Sequence, residues 1–327
     1  MAGNCDLNNM SRYNGKFEAY QRTYVLTNKA HDRASLDYLW YFLQNSWAKV
    51  MLSRMCGTAI PYIKLGMIQK FDISLPPLPA QRKIAKVLSA YDDLIENNTK
   101  RIRILERMAE ELYKEWFVRR KVGRFETKTL EQIGIRLESG ARPKGGVKDL
   151  ETGVPSVGAE NVIGLGKYNF DSEKLIPEEF FAKMRRGKIL DRDILLYKDG
   201  AYVGRISLFQ DGFPHKVAAV NEHVFLLHAN EEKLQYFLFF TLAQEQYFKL
   251  MQGLNKNAAQ PGLNQGAVYG IKVDVPSDAQ IRRFDDTVRP LVSEIFSLSK
   301  ANRNLARQRD LLLPRLMSGK LSMEGVG

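Results

Sequence analysis

The feature that most constrains this chain is a run of some forty residues, 80–122, that contains neither Gly nor Pro. Because Gly and Pro disfavour a helix more than any other residue, the run predicts one continuous helix over 79–123, directly after the prolines of segment 76–79. At about 1.5 Å per residue such a helix is roughly 60 Å long, which is too long for the core of one compact domain. The sequence therefore predicts a spacer between separate modules.

Apolar residues recur along this helix in alternating steps of four and three, which is the heptad pattern of a coiled coil. A second helix with the same pattern is predicted over 279–327, although Pro290 and Pro314 predict that it starts late, kinks or ends early. The residues expected to pack the helices together are Leu88, Ile95, Asn98, Ile102, Leu105 and Leu112 in the first and Leu291, Ile295, Leu298, Asn302, Leu305 and Leu312 in the second.

One Asn lies near the middle of each heptad pattern, Asn98 in the first helix and Asn302 in the second. A buried Asn lowers the stability of a coiled coil but fixes its register. We therefore expect these two side chains to align a two-stranded coiled coil. The alternative is that both side chains face water, since the neighbouring Asn97 is polar as well.

Segments of the chain recur at a displacement close to 200 residues. The segment "PYIKLGMIQKFDISLPPLPAQRKIAKVL" from Pro61 aligns with "PGLNQGAVYGIKVDVPSDAQIRRFDDTV" from Pro261, and "LDYLWYF" from Leu36 aligns with "LQYFLFF" from Leu234. Both copies have the same order of expected elements: an aromatic helix, a polar loop with Gly, an alternating strand, a proline stop and a long helix. One shared displacement favours duplication over chance similarity.

The pattern divides the chain into four segments: a first partial domain over 1–78, the central helix over 79–123, a complete domain over 124–278, and a terminal helix and tail over 279–327. Short alternating strands, glycine-rich turns and the helical stretch "EEKLQYFLFFTLAQEQYFKLMQ" lie in the third segment. We expect an α+β fold with an irregular sheet there, joined to two long spacer helices.

Net charge gives a weaker indication of function. A formal charge of +12 favours a polyanionic partner, yet segment 124–278 carries 20 basic and 20 acidic residues and is therefore neutral.

Cys5 and Cys56 are the only cysteines, which makes a disulfide framework or a structural zinc site unexpected. The N-terminus resembles no signal peptide and no apolar run is long enough to cross a membrane, so we expect a cytoplasmic protein.

Motifs of catalysis are missing from the sequence. It contains no GxxxxGK[ST], GxGxxG, HExxH or GxSxG pattern, and no Asn-Pro-Pro-aromatic motif that would grip a flipped base. His215, His223 and His228 lie in or beside an apolar strand, where a hydrogen-bonded structural role is expected. We therefore expect a binding module with no catalytic residue, no metal and no cofactor of its own.

Polar and basic side chains on glycine-bearing loops are the candidates for binding DNA. Lys and Arg contact phosphate, Arg, Asn and Gln contact base edges, and glycine permits close approach of the backbone. The alternative is that these loops are polar only because water surrounds them. The candidates are Arg142, Lys144, Lys148, Lys198, Tyr202, Arg205, Asn255, Lys256, Asn257, Gln260 and Asn264, with Arg54 and Lys64 at the corresponding positions of the first segment.

The segment "PPLPAQRKIAKVLSAYDDLIENNTKRIRILERMAEELYKEWF" strongly resembles the central spacer region of the specificity subunits of type I restriction-modification systems. "LLLPRLMSGKLS" near the C-terminus is similar to the usual ending of that family, and "NAAQPGLNQGAVYGIKV" resembles the end of a target recognition domain. The resemblance covers nearly the whole chain.

The resemblance implies that each recognition domain binds one part of a bipartite DNA site and that two antiparallel helices set the gap. The helices would also dock methyltransferase subunits, which carry S-adenosylmethionine, and the complex would recruit a restriction subunit. In this sequence residues 1–78 match only the second half of a recognition domain. We therefore expect a chain truncated at its start, with self-association or complementation through the incomplete first domain as a consequence.

Two other functions are compatible with parts of the sequence. A coiled-coil scaffold would use the helix pair to organise a protein complex without binding a DNA sequence. A nuclease or methyltransferase acting alone would turn over substrate with a metal or S-adenosylmethionine, and no motif supports it.

Overall fold

A computed structural model describes residues 10–19, 23–54, 64–121, 123–147, 150–256 and 262–321. The chain divides into unit 1, which comprises Met1–Glu96 and Arg303–Gly327, and unit 2, Asn97–Asn302. The helices are α1 Leu36–Arg54, α2 Leu65–Gln69, α3 Leu78–Tyr113, α4 Glu178–Lys183, α5 Leu234–Leu242, α6 Glu245–Lys256, α7 Gln265–Tyr269 and α8 Asp278–Met317. The strands are β1 Glu126–Thr129, β2 Ile135–Ser139, β3 Val154–Val157, β4 Lys174–Ile176, β5 Ile194–Tyr197, β6 Ile206–Leu208, β7 Ala219–Val220, β8 Val224–Ala229 and β9 Lys272–Val275.

The central helix α3 begins directly after the prolines at 76 and 77. The side chain of Gln81 donates hydrogen bonds to the Pro76 and Arg33 carbonyl oxygens and accepts one from the Ser35 amide, so it fixes the entry of the helix. The regular helix ends at Tyr113 and continues as a wider π turn over Lys114–Arg119. It is therefore shorter at its C-terminal end than 79–123.

The terminal helix α8 begins at Asp278, runs through Pro290 and Pro314, and ends at Met317. Of the three expected consequences of the prolines, a late start is not seen, while the end at Met317 falls within "LLLPRLMSGKLS", where an early end was expected. Each proline removes one amide donor from the helix, but Pro290 and Pro314 both lie on the exposed face. Water can therefore hydrogen-bond the carbonyl groups that lose a partner, and the helix tolerates both prolines.

The described residues of unit 2 form three sheets, and the α+β fold confirms the expected fold class. Four antiparallel strands in the order β2-β8-β5-β6 form the largest sheet, β4-β3-β7 form the second, and β1 pairs with β9 in the third. The helical stretch predicted as one element is two helices, α5 and α6. Gln244 separates them, with its side chain bonded to the Phe240 carbonyl and its own carbonyl accepting the Phe248 amide.

An aromatic cluster joins α3, α5 and α8 in the core of unit 2. Phe284 and Phe237 are fully buried and contact Phe117, with ring centroids 5.1 and 5.3 Å away. The hydroxyl group of Tyr113 donates to Thr241 Oγ1 at 3.0 Å. The apolar face of α3 is therefore covered by a domain core over its second half.

Unit 1 is helical in the part that the structure describes, and its buried residues form two small clusters. Tyr38 and Tyr41 of α1 pack with Leu88 and Leu316 in one cluster, and Trp47 packs with Met51 in the other. Residues 70–77 follow α2 without forming a strand. Apolar burial in unit 1 is thus divided between sites that are smaller than the core of unit 2.

Helices α3 and α8 contact each other in both units, running in opposite directions. In unit 2, Asn98 donates to Asn302 Oδ1 at 2.9 Å and Arg101 pairs with Glu294 at 2.7 Å. Among the predicted packing residues of this unit, those buried within the core are Ile102, Ile295 and Leu298. Those partly buried and packed against the core are Leu105, Leu112 and Leu291.

In unit 1 the same two helices are joined by an ion pair, with Arg309 Nη1 2.5 Å from Asp92 Oδ1. Leu88 is fully buried there and Leu312 packs against the same cluster, while Ile95 and Leu305 are half-buried. Every predicted packing residue is thus at least half-buried, and the use of the pair as a spacer stays a prediction. No helix among the described residues is long and apolar enough to span a membrane.

Candidate nucleic-acid interface

One end of the four-stranded sheet of unit 2 collects several loops. The pairing of Ser139 with Phe225 and of Tyr197 with Val224 puts the end of β2, the end of β5 and the start of β8 at the same edge. The start of β6 lies there too, because Ile206 pairs with Leu196. The loops at 140–147, 198–205 and 221–223 therefore meet, and we call them, together with 262–264, the loop cluster.

Charged side chains connect three of these loops. Arg142 Nε lies 2.8 Å from a carboxylate oxygen of Glu222, and His223 Nε2 lies 3.4 Å from the same oxygen. The other ring nitrogen of His223 lies 2.7 Å from Asp199 Oδ1. The chain of contacts Arg142, Glu222, His223, Asp199 thus ties the three loops into one surface in which cationic and anionic groups alternate.

The segment 262–264 joins the loop cluster through its backbone. The Leu263 amide donates to the Lys198 carbonyl at 2.7 Å. Gly262 has a φ of 135°, and a Cβ built on it would lie 3.1 Å from the Asp199 Cβ, so a side chain here would be strained. Asn264 is turned toward α7, whose N-terminus it caps by accepting the Ala267 amide at 2.8 Å.

Two arginines that the sequence reasoning did not single out lie beside the same surface. A Cβ on Gly187 would lie 2.6 Å from the Cα of Gly140, so the two glycines allow segment 185–187 to contact the first loop. Arg185 and Arg186 are exposed there. The sequence signal for these residues is the pair of adjacent arginines followed by glycine in "RRGKIL". It has the same combination of basic side chains and glycine as the other loops.

Two of the predicted cationic side chains lie over aromatic rings. The Lys198 ammonium lies 4.8 Å from the centroid of the Phe225 ring, and the Arg205 guanidinium lies 4.0 Å from the centroid of the Tyr202 ring. Tyr202 itself is 54% exposed. The pair Tyr202 and Arg205 therefore offers a flat stacked surface, and such surfaces can contact sugars and bases as well as phosphate.

Some predicted residues are not described as part of this surface. Asn255 lies in the last turn of α6, where its Oδ1 atom is buried and has no hydrogen-bond partner among the described residues. Lys64 precedes α2 in unit 1 and is exposed. Lys148, Asn257 and Gln260 lie outside the described residues, and so do the side chains of Arg54 and Lys256.

The two other histidines of unit 2 contact carboxylates away from the loop cluster. His215 pairs with Glu173, and His228 Nδ1 lies 2.8 Å from Asp193 Oδ1. Burial raises the pKa of Asp193, and the neighbouring His228 acts in the opposite direction. Within the described residues no group of three or more His, Cys, Asp or Glu side chains is arranged to hold a metal ion.

Comparisons with known proteins agree with this architecture. A family model described as "Type I restriction modification DNA specificity domain" matches residues 9–107. The MjaIX specificity subunit of a type I restriction enzyme from Methanocaldococcus jannaschii is 25% identical over 310 residues, which cover 88% of this chain and 69% of that protein. The MjaVIII specificity subunit from the same organism is 24% identical over 309 residues, 88% of this chain and 71% of that protein.

Among solved structures, the S subunit of a type I restriction-modification system from M. genitalium superimposes with a TM-score of 0.54 at 19% identity. The superposition covers 87% of this chain and 73% of that one, and it supports the fold alone. Together, the family-model match and the curated relatives show that the chain is similar to the specificity subunits of type I restriction-modification systems.

Proposed function

We propose that this chain binds a specific DNA sequence and thereby directs the methyltransferase and restriction subunits of a type I restriction-modification complex to their target. It takes no catalytic part itself. The observation that carries the proposal is the loop cluster, in which glycine-bearing loops gather cations at one edge of a rigid sheet. Sites built on the ends of sheet strands hold their side chains in fixed geometry, which sequence recognition needs.

Apart from Lys198 and Arg205, which lie against aromatic rings, the cations in or beside the loop cluster fall into two groups. Lys144 in the cluster and Arg185 and Arg186 beside it are exposed and make no ion pair with any described residue, so they are available to DNA phosphates. Arg142 and Glu222 are already positioned by each other. Because Arg donates to guanine and Glu accepts from the cytosine amino group, this second group suits contacts with base edges.

We propose further that α3 and α8 supply the remaining functions of such a subunit. Their pairing would set the gap between the two halves of a bipartite site and provide the surface on which methyltransferase subunits dock. The restriction subunit would join through the assembled complex. Self-association through the segment 1–78 remains a prediction, and the complex would act in the cytoplasm, where the cell's DNA is accessible.

The test uses a library of random duplex DNA, from which the full-length chain with its methyltransferase partner selects a bound sequence. Replacing Lys144 and Arg186 by Ala should weaken binding to every duplex and reduce the salt dependence by about one unit of slope for each phosphate that is no longer neutralised. Replacing Glu222 by Gln should change the selected bases instead, with a cost of about 1–3 kcal/mol at the affected position.

Arg282→Ala is the matched control, because Arg282 is an exposed arginine paired with Asp278 on α8 and lies outside the loop cluster. It removes one positive charge, as each of the two loop-cluster replacements does singly, and should leave affinity and salt dependence close to those of the wild type. If the loop-cluster variants bind DNA as well as this control does, the proposal fails and the protein is better described as a coiled-coil scaffold.

A further inference from the structure

The segment that follows α2 in unit 1 has no regular structure and pairs with no strand among the described residues. In residues 71–75, Phe71, Ile73 and Leu75 alternate with polar residues, which is the pattern of a half-buried strand. Phe71 packs against the cluster that contains Trp47, whereas Ile73 and Leu75 are each 40% exposed. The segment thus has the composition of a strand but not its environment.

The corresponding segment of unit 2 is a paired strand. Strand β9 lies 200 residues further along the chain and pairs with β1 in antiparallel register, with Val273 opposite Lys128. The Leu130 amide extends this ladder by donating to the Ile271 carbonyl at 2.9 Å. Val273, the counterpart of Ile73, is only 1% exposed.

The turn before the segment is folded identically in both copies. The Phe71 amide donates to the Ile68 carbonyl at 3.0 Å, and the Ile271 amide donates to the Val268 carbonyl at 3.1 Å. The two segments therefore leave the preceding helix through the same hydrogen-bonded turn. Among the described residues, nothing accepts or donates a backbone hydrogen bond at 72–75, so the segment has the unsatisfied edge that favours strand addition.

We infer that residues 72–75 bind an antiparallel strand from a separate polypeptide, with the pattern of Glu126–Leu130 of this chain. The fifth residue of that strand would be a large apolar side chain opposite Phe71, as Leu130 is opposite Ile271. This inference does not depend on DNA binding. It rests on the internal repeat of about 200 residues and on the backbone groups of residues 72–75, which make no backbone hydrogen bond with any described residue.

A second intact copy of this chain is a poorer occupant, because its own β1 is already held. Thr127 Oγ1 donates to Asp274 at 2.7 Å, and Lys121 pairs with the same carboxylate at 2.8 Å. A second copy would have to give up these contacts and the β1–β9 ladder before it could pair with residues 72–75. A polypeptide whose strand has no partner of its own gives up no such contacts and pays only for the ordering of its backbone.

The side chains at the edge specify the incoming strand further. By the register of β1 and β9, Ser74 lies opposite the position of Thr127 and Asp72 opposite the position of Thr129. Asp72 is exposed and carries a negative charge. A basic residue opposite it forms a favourable cross-strand pair, which is absent in unit 2 because Lys272 occupies the corresponding place.

The first experiment titrates the full-length chain into a fluorescent peptide of residues 124–134 and follows anisotropy. We expect saturable binding, and binding about two-fold tighter when the peptide carries Lys in place of Thr129. In this register the amides of Ile73 and Leu75 donate to the incoming strand, whereas the amide of Ser74 points away. Ile73→Pro should therefore weaken binding about ten-fold, and Ser74→Pro should leave it within about two-fold.

Two further variants complete this experiment. Ile73→Ala retains the amide and so separates loss of the donor from loss of the side chain. Binding that survives Ile73→Pro unchanged would come from exchange with β1 in unit 2 and would overturn the inference.

A second experiment detects pairing even when affinity is low. Ser74→Cys is made in a chain whose Cys5 and Cys56 are replaced by Ser, and the peptide carries Cys at position 127 or, as the mismatch, at position 128. The 74–127 pair is a non-hydrogen-bonded pair with Cα atoms about 4.5 Å apart, which suits a disulfide. We expect trapping by the first peptide and not by the second under a glutathione buffer.

Equal trapping by both peptides, or by neither, overturns the inference. The oligomeric state decides between occupants. If the purified chain is a dimer that Ile73→Pro dissociates without any peptide, then a second copy covers the edge, and the occupant named here is wrong.

Discussion

Two stretches of the chain, 64–78 and 264–278, have corresponding helices at both ends and differ in the four residues between them. Helices α2 and α7 begin at Leu65 and Gln265, and α3 and α8 begin at Leu78 and Asp278, so each pair is displaced by about 200 residues. Between them, 272–275 is a strand and 72–75 is not. The helices form in both copies because their hydrogen bonds are local, whereas a strand needs a partner that lies elsewhere in sequence.

The comparison extends to the cores behind these stretches. The core of unit 2 is continuous from β2 to α8, while the described residues of unit 1 bury their apolar side chains in two small clusters. Stability should follow this difference, because free energy of unfolding scales with apolar area removed from water. Matched substitutions in the two copies test it directly.

The largest expected difference is between Val273→Asp and Ile73→Asp. The first puts a charge into the core of unit 2 and should cost more than about 3 kcal/mol, enough to unfold that unit. The second changes an exposed side chain and should cost less than about 0.5 kcal/mol. Hydrogen exchange followed by mass spectrometry on peptides from α5 and from α1 reports on the two units separately.

This comparison breaks if Ile73→Asp destabilises α1 as strongly as Val273→Asp destabilises α5. Such a result would mean that residues 72–75 are already covered in the isolated chain. Val273→Ala and Ile73→Ala provide the uncharged controls, and the same order is expected with smaller costs.

The next expected difference concerns the ion pairs that join α3 and α8 in each unit. In unit 1, Asp92 accepts hydrogen bonds from both Arg309 and the buried hydroxyl of Tyr41. Burial and the bond to Asp92 raise the pKa of Tyr41, so its hydroxyl stays protonated. Asp92→Ala leaves the buried Tyr41 hydroxyl without its acceptor and Arg309 with Asp310 alone, and it should cost about 1–3 kcal/mol.

In unit 2 the pair Arg101–Glu294 is about half exposed on both sides. Glu294→Ala should therefore cost at most about 0.5 kcal/mol, because solvent screens an exposed pair. Thermal unfolding with and without 1 M NaCl checks both variants. A larger loss for Glu294→Ala than for Asp92→Ala would contradict the assignment of the stronger helix contact to unit 1.

The central Asn residues should give a smaller effect. Asn98→Ala removes the hydrogen bond to Asn302 and should cost about 1 kcal/mol, since Asn302 Nδ2 keeps a contact with Thr99 Oγ1 at 3.3 Å. The double variant Asn98→Leu with Asn302→Leu should raise the melting temperature, because it replaces a buried polar pair by apolar contacts. A lower melting temperature for the double variant would indicate that the Asn pair supports stability rather than alignment.

The sequence was sufficient for the central helix and for naming basic residues on several glycine-bearing loops, but not for the convergence of those loops. Heptad steps and the absence of Gly and Pro identify α3, and the glycine-flanked cations Arg142, Lys198 and Arg205 all lie in the loop cluster. These features depend on local patterns. The course of α8 through Pro290 could not be predicted, because it depends on the proline facing water.

Tertiary contacts explain what the sequence reasoning missed. Glu222 and Asp199 were not singled out, because acidic residues are not expected at a DNA surface until their pairing with Arg142 and His223 is known. Arg185 and Arg186 reach the loop cluster only through the close approach of Gly187 to Gly140. The motif "RRG" marks Arg185 and Arg186 as basic residues beside glycine, but the contact between Gly187 and Gly140 joins segments that are far apart in the chain.

The smallest expected effect is the pH dependence that Asp274 gives to unit 2. Hydrogen bonds from Lys121 and from Thr127 hold the pKa of Asp274 below its usual range. A carboxyl group whose pKa is lowered on folding stabilises the fold above its unfolded pKa of about 4 and loses that contribution as the pH falls below it.

Because the Asp274 side chain is 45% exposed, the contribution should be no more than about 0.5 kcal/mol. Asp274→Asn should thus lower the melting temperature of unit 2 slightly at neutral pH, and the difference from the wild type should disappear below about pH 4. Ser74→Ala changes the corresponding position of unit 1, where no carboxylate is present, and should have no pH-dependent effect. A difference between wild type and Asp274→Asn that grows at low pH would mean that Asp274 is not held by β1, and the contrast between the two copies would lose its electrostatic part.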